Sequence, residues 1–150
     1  MKTVLDNIHW QETRQRIEAL TPQHKRQWGK MTVHEMIVHC TDQVRLALGE
    51  KSGKPYNSWI LENIVIKLVL WGLPAPKGKV ETLQELKQGI GGTVPTVFEA
   101  DIRTLVDAVE RFRSDRAKSF PHPAFGKLSR ADWGKLIWTH LDHHLRQFSA

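Results

Sequence analysis

Apolar residues return at helical spacing along almost the whole chain, and no stretch shows the strict alternation of a half-buried strand. A first amphipathic helix is predicted over residues 6–20, closed by Thr21-Pro22. A second starts at Thr32-Val33-His34-Glu35. This fits a capping box, with Thr32 as N-cap and Glu35 reaching back. Val33, Met36, Ile37, Cys40, Val44 and Ala47 then share one face, and Gly49 ends the helix. Residues 58–71 are apolar nearly all round, which predicts the most buried helix of the fold.

The segment 72–95 carries Pro74, Pro76, Gly78, Gly89, Gly91, Gly92 and Pro95. It reads as a long crossover with a short helix at 80–87. A second capping box, Thr96-Val97-Phe98-Glu99, should start the next helix, with Phe98, Ile102, Leu105, Val106, Val109 and Phe112 as its stripe. The loop SFPHPAFGK follows. Ser129 and Asp132 then cap a last helix running to about residue 148. The pattern predicts one all-α domain over residues 1–150, a bundle of four main helices with an extra short helix and a long crossover loop.

Composition narrows the class. The chain has 150 residues, 40% hydrophobic and 25% charged, ordinary for a globular domain with a real core. No run is long and uncharged enough to span a bilayer, so no membrane partner is expected. The first residues lack a signal-peptide core, which makes the cytoplasm the expected location. Cys40 is the single cysteine, so neither a disulfide nor a cysteine-rich zinc site can form within the chain. The net charge of +6 is spread over dispersed lysines and arginines, which argues against a nucleic-acid surface.

The candidate chemistry lies in IWTHLDHHLRQF, near the end of the chain. At about 100° per residue, Trp133, Leu136, Ile137, His140, His144 and Gln147 fall on one face of the last helix, and Asp142 on the opposite one. His140 and His144 are four apart, the spacing by which one helix offers two imidazoles to one metal ion. His143 flanks the same face.

A third ligand should come from MTVHEMIVHC in the second helix. His39 sits at mid-helix beside Met36 and Gln43, whereas His34 lies about 140° away around the axis and cannot bind the same ion. His34-Glu35 does not continue as a zinc-protease motif, because position 38 is Val38. The reading is a divalent metal on His39, His140 and His144, with open coordination positions and no negative charge from the protein ligands. Such a centre favours an anionic ligand such as thiolate or hydroxide. The plain alternative is that these are ordinary hydrogen-bonded core histidines.

Several neighbours are candidates for the surroundings. His34 and His143 are expected as supporting or wall residues, and Gln147 as the group fixing a ligand tautomer. His122, between Pro121 and Pro123, would roof the pocket with Phe125, or else simply form a helix-entry turn. Trp133 walls the pocket or packs the core; Trp10, Trp28, Trp59, Trp71 and Trp138 read as packing or interface residues. Cys40 should be buried and inert.

WGKMTVHEMIVHC, with HLDHHLRQF much later, resembles the DinB-like (YfiT-like) metalloenzyme superfamily. The longer stretches WGKMTVHEMIVHCTDQVRLALGE, PKGK and HPAFGKLSRADWGKLIWTHLDHHLRQF resemble a branch of it known only as a domain of unknown function. The resemblance implies a DinB-like four-helix bundle, with a divalent ion, zinc or nickel, held by His39, His140 and His144, and a homodimer as partner state. Some relatives transfer low-molecular-weight thiols, which implies a small-molecule thiol ligand and a metal-dependent S-transferase. The alternatives are a non-catalytic metal-binding or stress-response bundle and a metal-dependent hydrolase. No further residue is marked as a catalytic acid or base.

Overall fold

The computed structural model describes residues 1–71, 86, 87, 89–115 and 120–150. Among these, five α-helices and a π-helical turn form the regular structure. Helix α1 spans Asn7–Glu18, capped by Asp6, whose side chain accepts from the His9 amide. Helix α2 spans Val33–Leu48. Its capping box forms as predicted: Thr32 accepts from the Glu35 amide and Glu35 from the Thr32 amide. Gly49 closes it in the left-handed region at φ 71°. The π-helical turn Leu61–Val65 leads into α3, Ile66–Leu70. Helix α4 spans Phe98–Ser114, and α5 spans Arg130–Gln147 with Ser129 as N-cap.

The core is built where the stripes of α1, α2, α4 and α5 meet. Trp10, Ile17, Ile37, Cys40, Val44, Ala108, Val109, Trp133 and Ile137 have no exposed surface. Each fully buried branched aliphatic side chain contributes about 1.5–3 kcal/mol. Helix α2 packs most extensively on α4 and also against α5, while α1 lies across α4 and α5. Polar ties lock these contacts at the edges. The Trp10 indole donates to Glu110 of α4 at 2.6 Å, and Arg16 of α1 donates to Asp142 of α5 at 2.8 Å. Asp142 therefore holds a cation and does not simply point to water.

Two expectations fail in instructive ways. Residues 59–70 are helical, through the π-helical turn into α3, but are not the most buried part of the fold. Only Ile66 is buried there, while Trp59, Ile60, Ile64, Leu68 and Trp71 are exposed. The core is already filled by the four longer helices, so a segment apolar all round can cover only one of its faces. The second capping box also does not form. Val97 is the N-cap of α4 and makes no side-chain cap bond. Asp101, and not Glu99, turns back and accepts from the Thr96 amide and hydroxyl at 2.8 and 3.0 Å. Asp101 also accepts from His34, and that second donor holds it in place. The short helix expected at 80–87 lies mostly outside the described residues.

The described end of the crossover is fastened to α2 by a buried carboxylate. Asp42 has no exposed surface and accepts from the Thr93 amide and hydroxyl (2.8 and 2.6 Å), from Lys51 (2.9 Å) and from Arg45 (3.4 Å). A lone buried carboxylate would cost several kcal/mol, and four donors with two cations offset that. This clasp lies three residues after His39 on α2 and brings the crossover back over that part of the helix.

Candidate metal centre

Helix α2 supplies one imidazole and α5 supplies two. The His39, His140 and His144 ring centroids form a near-equilateral triangle with sides of 4.9, 4.9 and 4.5 Å. One ligating nitrogen from each ring can be chosen so that all three lie within 4.8 Å of one another. Tetrahedral zinc with nitrogen ligands at about 2.1 Å separates those nitrogens by about 3.4 Å. The His39 and His140 Nε2 atoms are 3.0 Å apart, within half an ångström of that spacing.

The hydrogen-bond network decides which nitrogen of each ring faces inward. His39 donates through Nδ1 to the Leu86 carbonyl at 3.3 Å, which leaves Nε2 as a bare lone pair. His144 donates through Nδ1 to Gln147 Oε1 at 2.8 Å. The Gln147 amide cannot be turned the other way, because its Nε2 donates to the Trp28 carbonyl at 2.6 Å. Gly29 makes this approach possible. It sits at φ 79°, and a Cβ there would come within 2.4 Å of Gln147 Nε2. His144 therefore also presents Nε2 as a lone pair. Only the His140 Nδ1 is buried without a partner among the described residues of the triad.

Burial sets the protonation state. It pushes His144 down to about 3, and the nearby His39 ring adds to the shift. Burial likewise lowers His39 and holds His140 well below the ordinary imidazole range, with the His144 and His39 rings adding to the latter. All three are neutral at pH 7, the state that binds a metal. Three neutral rings, two of them steadied from behind with their lone pairs inward, suit a divalent cation, so the donor set fits the group. His39 and His144 are buried, and His140 is half-buried with its Nδ1 inaccessible.

The other predicted residues take distinct places. His34 does not join the triad. Its Nε2 donates to Asp101 at 2.8 Å and its ring meets Phe98 edge-on, tying α2 to α4. His143 lies edge-on to both His144 (5.1 Å) and Trp28 (5.8 Å), at the flank of the cluster. His122 is buried, and its Nδ1 accepts from the Ala124 and Phe125 amides at 3.1 and 3.2 Å. It stacks on Phe125 at 4.6 Å and leans on Trp133 at 5.3 Å. The helix-entry turn thus occupies this imidazole, and burial lowers it to about 4. Trp133 is fully buried and donates to the Phe120 carbonyl at 2.8 Å.

Cys40 is buried against Met36, 3.6 Å between sulfurs, and burial raises its thiol far above the usual range. Trp59 and Trp71 are exposed and are not packing residues of this chain. Sequence reasoning missed the Leu86 carbonyl behind His39 and the Asp42 clasp. A carbonyl carries no signal in a sequence. Asp42 lies about 200° around α2 from Cys40, opposite the apolar stripe, where the sequence pattern predicts an exposed side chain.

The chain matches, over residues 2–150, the model of a family described as a protein of unknown function, DUF1569. It belongs to that family. The comparisons with curated proteins and with solved structures gave no match. Among the described residues, no helix is long and apolar enough to cross a membrane.

Proposed function

We propose that this member of a family of unknown function is a metal-binding protein of DinB-like architecture, in which α1, α2, α4 and α5 form the four-helix bundle. His39, His140 and His144 hold a divalent ion, zinc or nickel, and the centre acts on a small thiol as a metal-dependent S-transferase. The observation that carries this reading is the convergence of three neutral imidazoles from two helices within 4.8 Å. Two of their three Nδ1 atoms already donate to fixed acceptors behind the rings. Ordinary core histidines need one partner each. That need gives no reason for the lone pairs of both His39 and His144 to converge on a third imidazole.

The chain's own groups have separate tasks. Leu86 and Gln147 hold the His39 and His144 tautomers. His140, the half-buried member of the triad, lies on the side from which a ligand reaches the centre. His143 stands between Trp28 and His144 as a wall on the flank, and Trp133, two turns before His140 on α5, packs against His122. When bound, the metal supplies a positive charge that stabilises a thiolate or hydroxide at neutral pH.

The test is optical. Wild-type protein loaded with cobalt(II) is titrated with low-molecular-weight thiols. A thiolate-to-metal charge-transfer band should grow in, and His144→Ala should lack it. A cobalt spectrum that forms but does not respond to any thiol would remove the S-transferase reading and leave the metal site standing.

A further inference from the structure

Two buried polar atoms close to the triad's level have no partner among the described residues: the Nδ1 of His140 and the Oε1 of Gln43. Gln43 is only 3% exposed. A buried acceptor without a donor costs about 1–3 kcal/mol, so such a group calls for a reason.

Helix register places Gln43 on the His140 side of the centre. Helices α2 and α5 run in opposite directions. The Trp28 carbonyl, before α2, accepts from Gln147 at the end of α5. Gly49, after α2, lies against Phe120, where a Cβ would come within 2.4 Å of the ring. The Phe120 carbonyl in turn accepts from Trp133, near the start of α5. Gln43 is one turn beyond His39 on the same face of α2, so it stands on the side of the triad toward His140 and Trp133.

The tautomers make the two orphaned atoms complementary. His39 Nε2 is a lone pair, since its Nδ1 proton goes to Leu86. The 3.0 Å contact between His39 Nε2 and His140 Nε2 therefore needs a proton on His140 Nε2 when no cation is present. A cation displaces that proton. A neutral His140 ligating through Nε2 then carries its proton on Nδ1, which faces no acceptor of its own.

We propose that Gln43 is the positioning residue of His140: its side-chain carbonyl takes the Nδ1 proton of His140, directly or across one water, when the centre binds metal. This rests on the metal-binding reading above. It gives each ligand one acceptor behind the ring: Leu86 for His39, Gln147 for His144 and Gln43 for His140. The arrangement also couples metal binding to a tautomer change at a single ring.

Two measurements test it. In the first, the zinc affinities of Gln43→Leu and Gln43→Glu are measured by chelator competition. Gln43→Leu should weaken binding about ten- to a hundredfold, as loss of an outer partner does, while Gln43→Glu keeps or tightens it. In the second, nitrogen-15 spectra of histidine-labelled wild type are recorded with and without zinc. His140 should carry its proton on Nε2 without zinc, and on an exchange-protected Nδ1 with it. The second needs no variant, so it stands even if Gln43→Leu fails to fold.

A Gln43→Leu affinity within twofold of wild type would overturn the positioning role, as would a His140 that ligates through Nδ1. Loss of an oxygen ligand from the cobalt X-ray absorption spectrum of Gln43→Leu would make Gln43 a ligand and overturn it too. In all three cases metal binding itself survives. Wild type that takes up no zinc would sink both readings together.

Discussion

Residues 58–71 and the seam between α2 and α5 are both rich in apolar side chains, yet they end in opposite environments. The seam is buried to the point of holding three imidazoles neutral. The other segment leaves Trp71 83% and Trp59 68% exposed. The difference is periodicity, not hydrophobicity. A stripe of fixed width on α2 and α5 can be matched by stripes on α1 and α4. A helix apolar on all sides presents no stripe, and the core has no room for it. Polar residues follow the same logic. Histidine on a matched stripe is forced inward and must find a partner. Asp42, on the far side of α2 from its apolar stripe, is buried as well, and four donors surround it.

The largest effect should come from breaking the seam's chemistry. His144→Ala removes one of three ligands, and metal affinity should fall by more than about a hundredfold, the upper range for outer partners alone. Isothermal or competition titration measures it. An unchanged affinity would place the metal elsewhere. Next in size, Trp133→Ala should cost about 3–5 kcal/mol in denaturant unfolding, because a fully buried indole and its bond to Phe120 are both lost.

Acid should act on the same region. His122 and His144 are held near 4 and 3 in the folded chain, below the ordinary imidazole value of 6.5. Protons therefore bind the unfolded chain first as pH falls below about 6.5. Above that pH both states are neutral and the effect vanishes. Between about pH 6.5 and 5 each of these two rings should remove about 2 kcal/mol from the stability of the metal-free protein. Replacing His122 with Gln should flatten the slope. A metal-free stability flat across that window would show the rings to be solvated.

The smallest effect belongs to the other region. Ile64→Ser should shift stability by no more than about 0.5 kcal/mol, since the side chain is 44% exposed. A loss of several kcal/mol would mean that this face is covered in solution and would erase the contrast.

Much of this was legible before any coordinates. The Thr32 and Ser129 caps, the Gly49 stop and the stripes of α2 and α5 are local signals, and each is found where its residues put it. The meeting of His39 with His140 and His144 was also readable, because His39 sits at mid-helix and can face the α5 pair at mid-depth, while His34 lies one turn from the start of α2 on the other flank. What escaped was set by long-range competition. Asp101 displaced Glu99 at the start of α4 because His34, on another helix, holds it there. The tautomers depend on backbone carbonyls of Leu86 and Trp28, which no side-chain pattern encodes.

The most direct measurement is the metal content of wild-type protein purified without an affinity tag, by mass spectrometry, beside His140→Ala and His144→Ala. The account predicts about one equivalent of a divalent transition metal in the wild type and almost none in either variant. Folded wild-type protein that stays empty after incubation with zinc and with nickel, or variants that retain the metal, would contradict it.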